Sequence, residues 1–130
     1  MGFIGYFEEN RKLSRAITIF LAVAIFVISS IDFGPSKRAY LDGSLLSIAY
    51  HFLAFFFFNL FLMISTIGGK RKDLFWLSIL ISVFYGVLDE VHQYYVPSRF
   101  FSVEDIVVDS AGVFFSGLLY LWRLILNKAF

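Results

Sequence analysis

A histidine, a glutamate and an aspartate stand inside otherwise apolar stretches of this chain, and they carry the chemistry it could do. His51 lies seven residues beyond Ser44, Glu90 seven before Pro97, and Asp109 seven beyond Ser102. On a helix rising about 1.5 Å per residue, each sits roughly 10 Å inside a helix end. Three ionisable groups thus reach a common depth, where Glu90 could act as a general base with Asp109 or His51 as partner. Gln93 lies one turn from Glu90 on the same helical face, as does Gly86 on its other side. On the following segment Asp105, Asp109, Gly112 and Ser116 share a second face. Arg99, in the loop between the two acidic faces, is the natural counter-cation and could grip an anionic headgroup with its bidentate fork. Glu90, Asp105 and Asp109 could also hold a divalent cation through oxygen ligands. No HExxH and no nucleophile elbow accompanies them, so no metal and no cofactor is assigned.

These side chains need elements that hold them at that depth. The chain has 130 residues, 59% of them hydrophobic and 21% aromatic, with 18 Phe and only 16% charged residues. Its mean hydropathy is +0.79. A soluble domain this small buries only about two thirds of its unfolded surface and needs far more polar residues. The composition excludes a disordered chain, a soluble enzyme and a nucleic-acid binder. It leaves an integral membrane protein. A net charge of +1 supplies no bulk attraction for a polyanion, and the absence of Cys excludes disulfides, thiolate metal sites and cysteine nucleophiles.

Crossing the hydrocarbon core as helix takes roughly 20 mostly apolar residues. Four stretches qualify, at approximately 13–31, 45–67, 74–95 and 103–126. The third must run on through Asp89-Glu90-Val91-His92 to reach full length. Glu8 and Glu9 in the leader, with no small-x-small site after the first stretch, favour a span over a cleaved signal peptide. The expectation is an all-α fold, a single transmembrane domain over residues 1–130 built as an integral membrane four-helix bundle.

Gly68-Gly69 suits a helix C-terminus, with Asp73 as the next N-cap. Asp42 or Ser44 could cap the second helix. Pro97 disfavours helix at Val96, and Ser102-x-x-Asp105 is a capping-box pattern that opens the fourth. Eight basic residues (Arg11, Lys12, Arg15, Lys70, Arg71, Lys72, Arg123, Lys128) fall on one side of this hairpin pair, against Lys37, Arg38 and Arg99 on the other. By the positive-inside rule both termini are cytoplasmic and the acidic cluster faces outward. The chain is then a multi-pass protein of the cell membrane.

Ordinary roles account for several of these residues. Asp105 reads as the N3 member of a cap, and Asp89 as a carboxylate solvated at the helix end. His92 points to the headgroup region, with Tyr94 and Tyr95 in an aromatic belt. The Phe55–Phe58 run is lipid-facing and core packing, and Gly112 and Gly117 are packing positions. Glu90, Arg99 and Asp109 could form a purely structural ion-pair network. Against that, three buried charges are costly where uncharged packing would stabilise as well.

The stretch Gly86-Val87-Leu88-Asp89-Glu90-Val91-His92-Gln93, then Val96-Pro97-Ser98-Arg99, then Ser102-x-x-Asp105-x-x-x-Asp109-x-x-Gly112, resembles the VanZ-like family of small multi-helix membrane proteins. His51-Phe52-Leu53-Ala54-Phe55 looks like that family's H-F-x-x-[Y/F] segment, although Ser47-Ile48 stand where an Asp-Lys pair commonly precedes the histidine. The matched positions carry over Glu90, Gln93, Arg99, Asp105 and Asp109. The resemblance implies a role in the cell envelope and a link to teicoplanin resistance, an antibiotic resistance of low level. It implies no reaction. Teicoplanin carries an acyl chain and targets lipid-linked precursors at the outer surface, the side on which the acidic pocket is expected.

Three functions fit these residues. In the leading one, an outward-facing polar pocket interacts with a lipid, lipid-linked or amphiphilic ligand, with Arg99, Gln93 and Asp105 binding it and Glu90 held near Arg99. The second is a membrane-embedded hydrolase or transferase using Glu90, Asp109 and His51. The third is a structural or assembly protein whose charged motif locks the helices. A transporter is a weaker fourth reading, since four helices are few for a pathway through one chain and oligomerisation would be needed. The expected partners are membrane lipids, with no nucleic acid, and the Gly112/Ser116 face would permit a homo-oligomer or packing within one chain.

Overall fold

A computed structural model describes residues 2–37 and 43–126. Arg38, Asp42 and Lys128, which entered the expectations above, lie outside the described residues. The described chain is helical, with no strand. A short helix α1 (Phe3–Glu9) leads into α2 (Arg11–Ser29), followed by α3 (Leu45–Ile67), α4 (Phe75–Tyr94) and α5 (Val103–Leu126). Four helices are long and apolar enough to cross a membrane: α2, α3, α4 with the 3-10 turn Lys72–Leu74 that precedes it, and α5.

Helix α3 is the hub, packed against α2, α4 and α5. Its Phe55, Phe58, Met63, Ile64 and Ile67 meet Ile25 of α2, Ile79 of α4, and Val113, Tyr120 and Leu124 of α5 in one core. Lipid tails are as apolar as these side chains, so close packing and interhelical hydrogen bonds must hold the helices together. Gly112 makes the closest approach. A Cβ there would run into the backbone carbonyl of Phe52 and stand 3.0 Å from the amide nitrogen of Phe56. The small-residue face of α5 is therefore used within the chain.

The helix ends follow local chemistry. Ser44 Oγ accepts the amide of Ser47 at 3.2 Å and so caps α3. Gly68, at φ +50°, ends α3 in the left-handed region that glycine tolerates, and the amides of Lys70 and Arg71 return to the Ile67 carbonyl. Asp73 departs from expectation. It lies within the 3-10 turn, one residue before the N-cap position that Leu74 occupies, and its carboxylate pairs with Arg71 at 2.8 Å. α1 was not legible as a separate element. It packs Phe7 against Phe61, 5.1 Å between ring centres, and its Glu8 accepts the Tyr120 hydroxyl at 2.8 Å.

Candidate functional site

The end of the bundle bearing the α4–α5 loop collects the polar residues. Position along each helix decides which ones meet. Gly86, Asp89, Glu90 and Gln93 recur at i, i+3, i+4 and i+7 and form one stripe of α4, all four buried. Asp105 and Asp109, one turn apart, face them from α5, and His51 faces both from α3. Gly86 lets the pieces approach, since a Cβ there would lie 3.4 Å from Asp109 Cβ.

His51 is buried and held from one side. Its Nδ1 lies 2.9 Å from Asp109 Oδ1, while its Nε2 stands 3.7 Å from Asp105 Oδ2, beyond hydrogen-bond reach. With Asp109 ionised the carboxylate can only accept, which would put a proton on Nδ1, and the ring orientation directs Nε2 toward Asp105. The other oxygen of Asp109, Oδ2, is buried without a hydrogen-bond partner. Glu90, fully buried, accepts from Gln93 Nε2 at 3.0 Å and from the Ser102 amide at 3.0 Å.

That last bond explains Asp105. In a capping box the residue at N3 would take the Ser102 amide. Here the Asp105 amide does donate to Ser102 Oγ at 3.1 Å, but Glu90 has taken the reciprocal place. The Asp105 carboxylate is released toward His51.

Arg99 reaches this cluster through a relay. Pro97 and the left-handed Ser98, at φ +59°, form a turn closed by the Arg99 amide on the Val96 carbonyl at 3.1 Å. The guanidinium then turns back into the bundle. Its Nη1 donates to Gln93 Oε1 at 2.8 Å, and Gln93 in turn donates to Glu90. The expected nearness of Arg99 to Glu90 is thus mediated by Gln93. Arg99 also donates to the carbonyls of Ile28 and Ile31, which places a cation at the C-terminus of α2.

Two readings of α4 need correction or support. Asp89 is not solvated. It is buried, and its Oδ2 accepts from Ser29 of α2 at 2.8 Å and from Gln93 at 2.9 Å. The i, i+3, i+4, i+7 stripe with Gly86, Glu90 and Gln93 was the signal that could have found it. Nothing in the sequence singled out Ser29. His92, by contrast, does sit at the periphery, 2.9 Å from Ser30 Oγ and stacked on Phe26.

One cavity adjoins the cluster, and a second shares part of its lining. The first, about 240 Å³, is lined by Ile28, Phe33, Ser47, Tyr50, His51 and Arg99. The other, about 610 Å³, is an almost wholly apolar groove between α2 and α3 lined by residues such as Phe20, Ala24, Leu53 and Phe57. Ile28 and Tyr50 line both, and the Tyr50 hydroxyl is buried without a partner.

The VanZ/LLP1 family model matches residues 7–126. The chain belongs to this family. The match takes in α2 to α5 and every residue of the cluster, so the polar site lies inside the family's own unit. No curated protein and no solved structure matches the chain significantly.

Proposed function

We propose that this VanZ/LLP1 protein holds an anionic amphiphile at the outer face of the cell membrane. The hydrocarbon chain lies in the α2–α3 groove and the headgroup in the pocket beside Arg99 and His51. The observation that carries this reading is that the two cavities lie side by side, with Ile28 and Tyr50 in the lining of both. Any groove in a bilayer fills with lipid chains. This one neighbours a smaller cavity lined by a guanidinium and a histidine, and the Tyr50 hydroxyl in the lining of both is buried without a partner. Anions suit a guanidinium because its planar fork can give two parallel bonds, and Arg99 is kept in place by its other donors to α2 and Gln93.

Orientation supports the same reading. Lys70, Arg71 and Lys72 lie at the opposite end of the bundle from the cluster, together with Arg11, whose guanidinium donates to the Gly68 carbonyl at 3.4 Å. The positive-inside rule makes that end cytoplasmic and the pocket external. The link to teicoplanin resistance that the family resemblance implies fits a pocket for lipid-linked or acylated ligands on that side.

The test is a titration of the purified protein with phosphatidylglycerol and phosphatidylcholine of identical chains. The expected result is a preference for the anionic lipid that Arg99→Ala removes. Equal binding of both lipids, or a preference unchanged in Arg99→Ala, would sink the proposal. Expression in a sensitive bacterium, scored by teicoplanin susceptibility, tests the resistance arm separately.

The His51–Asp109 contact favours a second reading, a hydrolase or transferase in which Asp109 orients His51 and its Nε2 takes a proton from water. Turnover of the bound lipid, lost in His51→Gln, would mark that reading; lipid recovered unchanged after prolonged incubation would exclude it for that ligand.

A further inference from the structure

We propose that His51, Glu90 and Asp105 bind a divalent transition-metal cation, with Asp109 positioning the histidine. One ligand atom from each of the three residues lies within 4.8 Å of the others, and each comes from a different helix. Ligands about 2.0–2.2 Å from a tetrahedral ion stand roughly 3.3–3.6 Å apart, so small carboxylate rotations close the set. Glu90 Oε1 and Oε2 each accept one hydrogen bond, which leaves a lone pair on each oxygen.

His51 is prepared as a ligand. Asp109 Oδ1 lies 2.9 Å from Nδ1, and in the tautomer with Nδ1 protonated the Nε2 lone pair faces Asp105 across a gap too long for a hydrogen bond. A carboxylate behind a histidine in this way fixes tautomer and ring orientation and raises ligand basicity at metal sites. A second observation is independent of this triad. Asp109 Oδ2 is buried and has no hydrogen-bond partner among the described residues, so a buried acceptor beside His51 is left unsatisfied. Among the described residues Asp89, Glu90, Asp105 and Asp109 crowd around His51 and Arg99, so the cluster has more carboxylates than cations. A divalent ion would offset this in a medium where unbalanced charge is costly.

The donor set chooses the ion. One imidazole nitrogen with carboxylate oxygens suits zinc or manganese, whereas calcium and magnesium prefer all-oxygen shells. Access is available, because His51 lines the smaller cavity and the Asp105 side chain is 18% exposed. The site stands on the helix cluster alone and does not depend on a lipid occupying the groove.

The experiment uses the full chain without a polyhistidine tag, purified in detergent and stripped with a chelator. Titration with ZnCl2 or MnCl2 is expected to saturate at about one ion per chain and to raise the melting temperature, as a ligand bound only to the folded state must. MgCl2 at the same concentration should not substitute. Asp105→Asn, whose carboxylate makes no hydrogen bond among the described residues, should keep the metal-free melting temperature and lose affinity by at least about tenfold. Asp109→Asn, which changes the support of His51, should lose about 10–100-fold. The chain has two histidines. With manganese bound, the electron-spin-echo signature of a directly coordinated nitrogen should persist in His92→Ala and vanish in His51→Ala. Absence of saturable binding, equal affinity in wild type and Asp105→Asn, or a nitrogen signal that follows His92 would each overturn the proposal.

Discussion

Two polar clusters sit in the same bundle a few turns apart, and they are built to opposite rules. The deeper one is neutral and closed. Asn59 Nδ2 donates to Ser116 Oγ at 2.8 Å and to the Val113 carbonyl at 3.1 Å, and its Oδ1 accepts from Ser82 at 2.9 Å. Ser116 returns its proton to the Val113 carbonyl at 2.8 Å. All three side chains are fully buried, every polar atom has a partner, and neither of the two cavities described above is lined by them. The other cluster is charged and incomplete. It has an unpartnered oxygen on Asp109, a histidine nitrogen facing a carboxylate across 3.7 Å, and a cavity at its edge. A satisfied neutral network ties α3, α4 and α5 together at modest electrostatic cost. The charged cluster lacks that closure, which is the physical ground on which we propose it as the functional one.

The largest effect should come from the residue that serves both clusters. Gly112 lies one turn from Asp109 and one from Ser116, against the α3 backbone. Gly112→Val must force α3 and α5 apart, losing about 1–3 kcal/mol of stability together with ligand binding. Thermal unfolding in detergent beside lipid binding checks this, and a variant of native stability would contradict the close packing.

Arg99→Ala comes next. Removing charge-assisted bonds worth about 1.5–3 kcal/mol should weaken anionic-lipid binding by roughly 10–100-fold. Arg99→Lys keeps the charge but not the fork and should recover only part of it. Full recovery in Arg99→Lys would show that charge alone is read.

Asn59→Ala breaks only the closed cluster. It should cost about 1–2 kcal/mol, within the range of interhelical hydrogen bonds in membranes, and leave lipid selectivity intact. Loss of selectivity at permissive temperature would erase the distinction between the clusters.

The smallest effect belongs to the far end of the bundle. Tyr120→Phe removes the bond to Glu8 and the acceptor of the Gly69 amide, 3.1 Å away. A loss of about 0.5–1.5 kcal/mol, with no change in binding, is expected from the melting temperature.

Much of this architecture was legible in the sequence because two signals are strong. Runs of apolar residues long enough to span hydrocarbon mark α2 to α5, and the Gly68, Ser44 and Pro97 boundaries follow from backbone rules. Equal depth brought His51, Glu90 and Asp109 together before any contact was known. Angular position about each helix was harder to read. Asp89 turned inward to Ser29, Glu90 displaced Asp105 from the cap, and Gln93 came between Arg99 and Glu90. Each of these depends on which donor wins a shared acceptor in three dimensions, and spacing along one helix does not encode that. Asn59 was visible only as an interruption in an apolar run, since its oxygen partners lie 23 and more residues away.

The most direct test compares one variant from each of the two clusters. Native mass spectrometry of wild type, Arg99→Ala and Asn59→Ala, purified identically from membranes, would record which lipids stay bound. The account predicts an anionic lipid retained by wild type and Asn59→Ala and lost by Arg99→Ala. Retention that is the same in all three, or lost equally in both variants, would contradict the assignment of the charged cluster as the functional one.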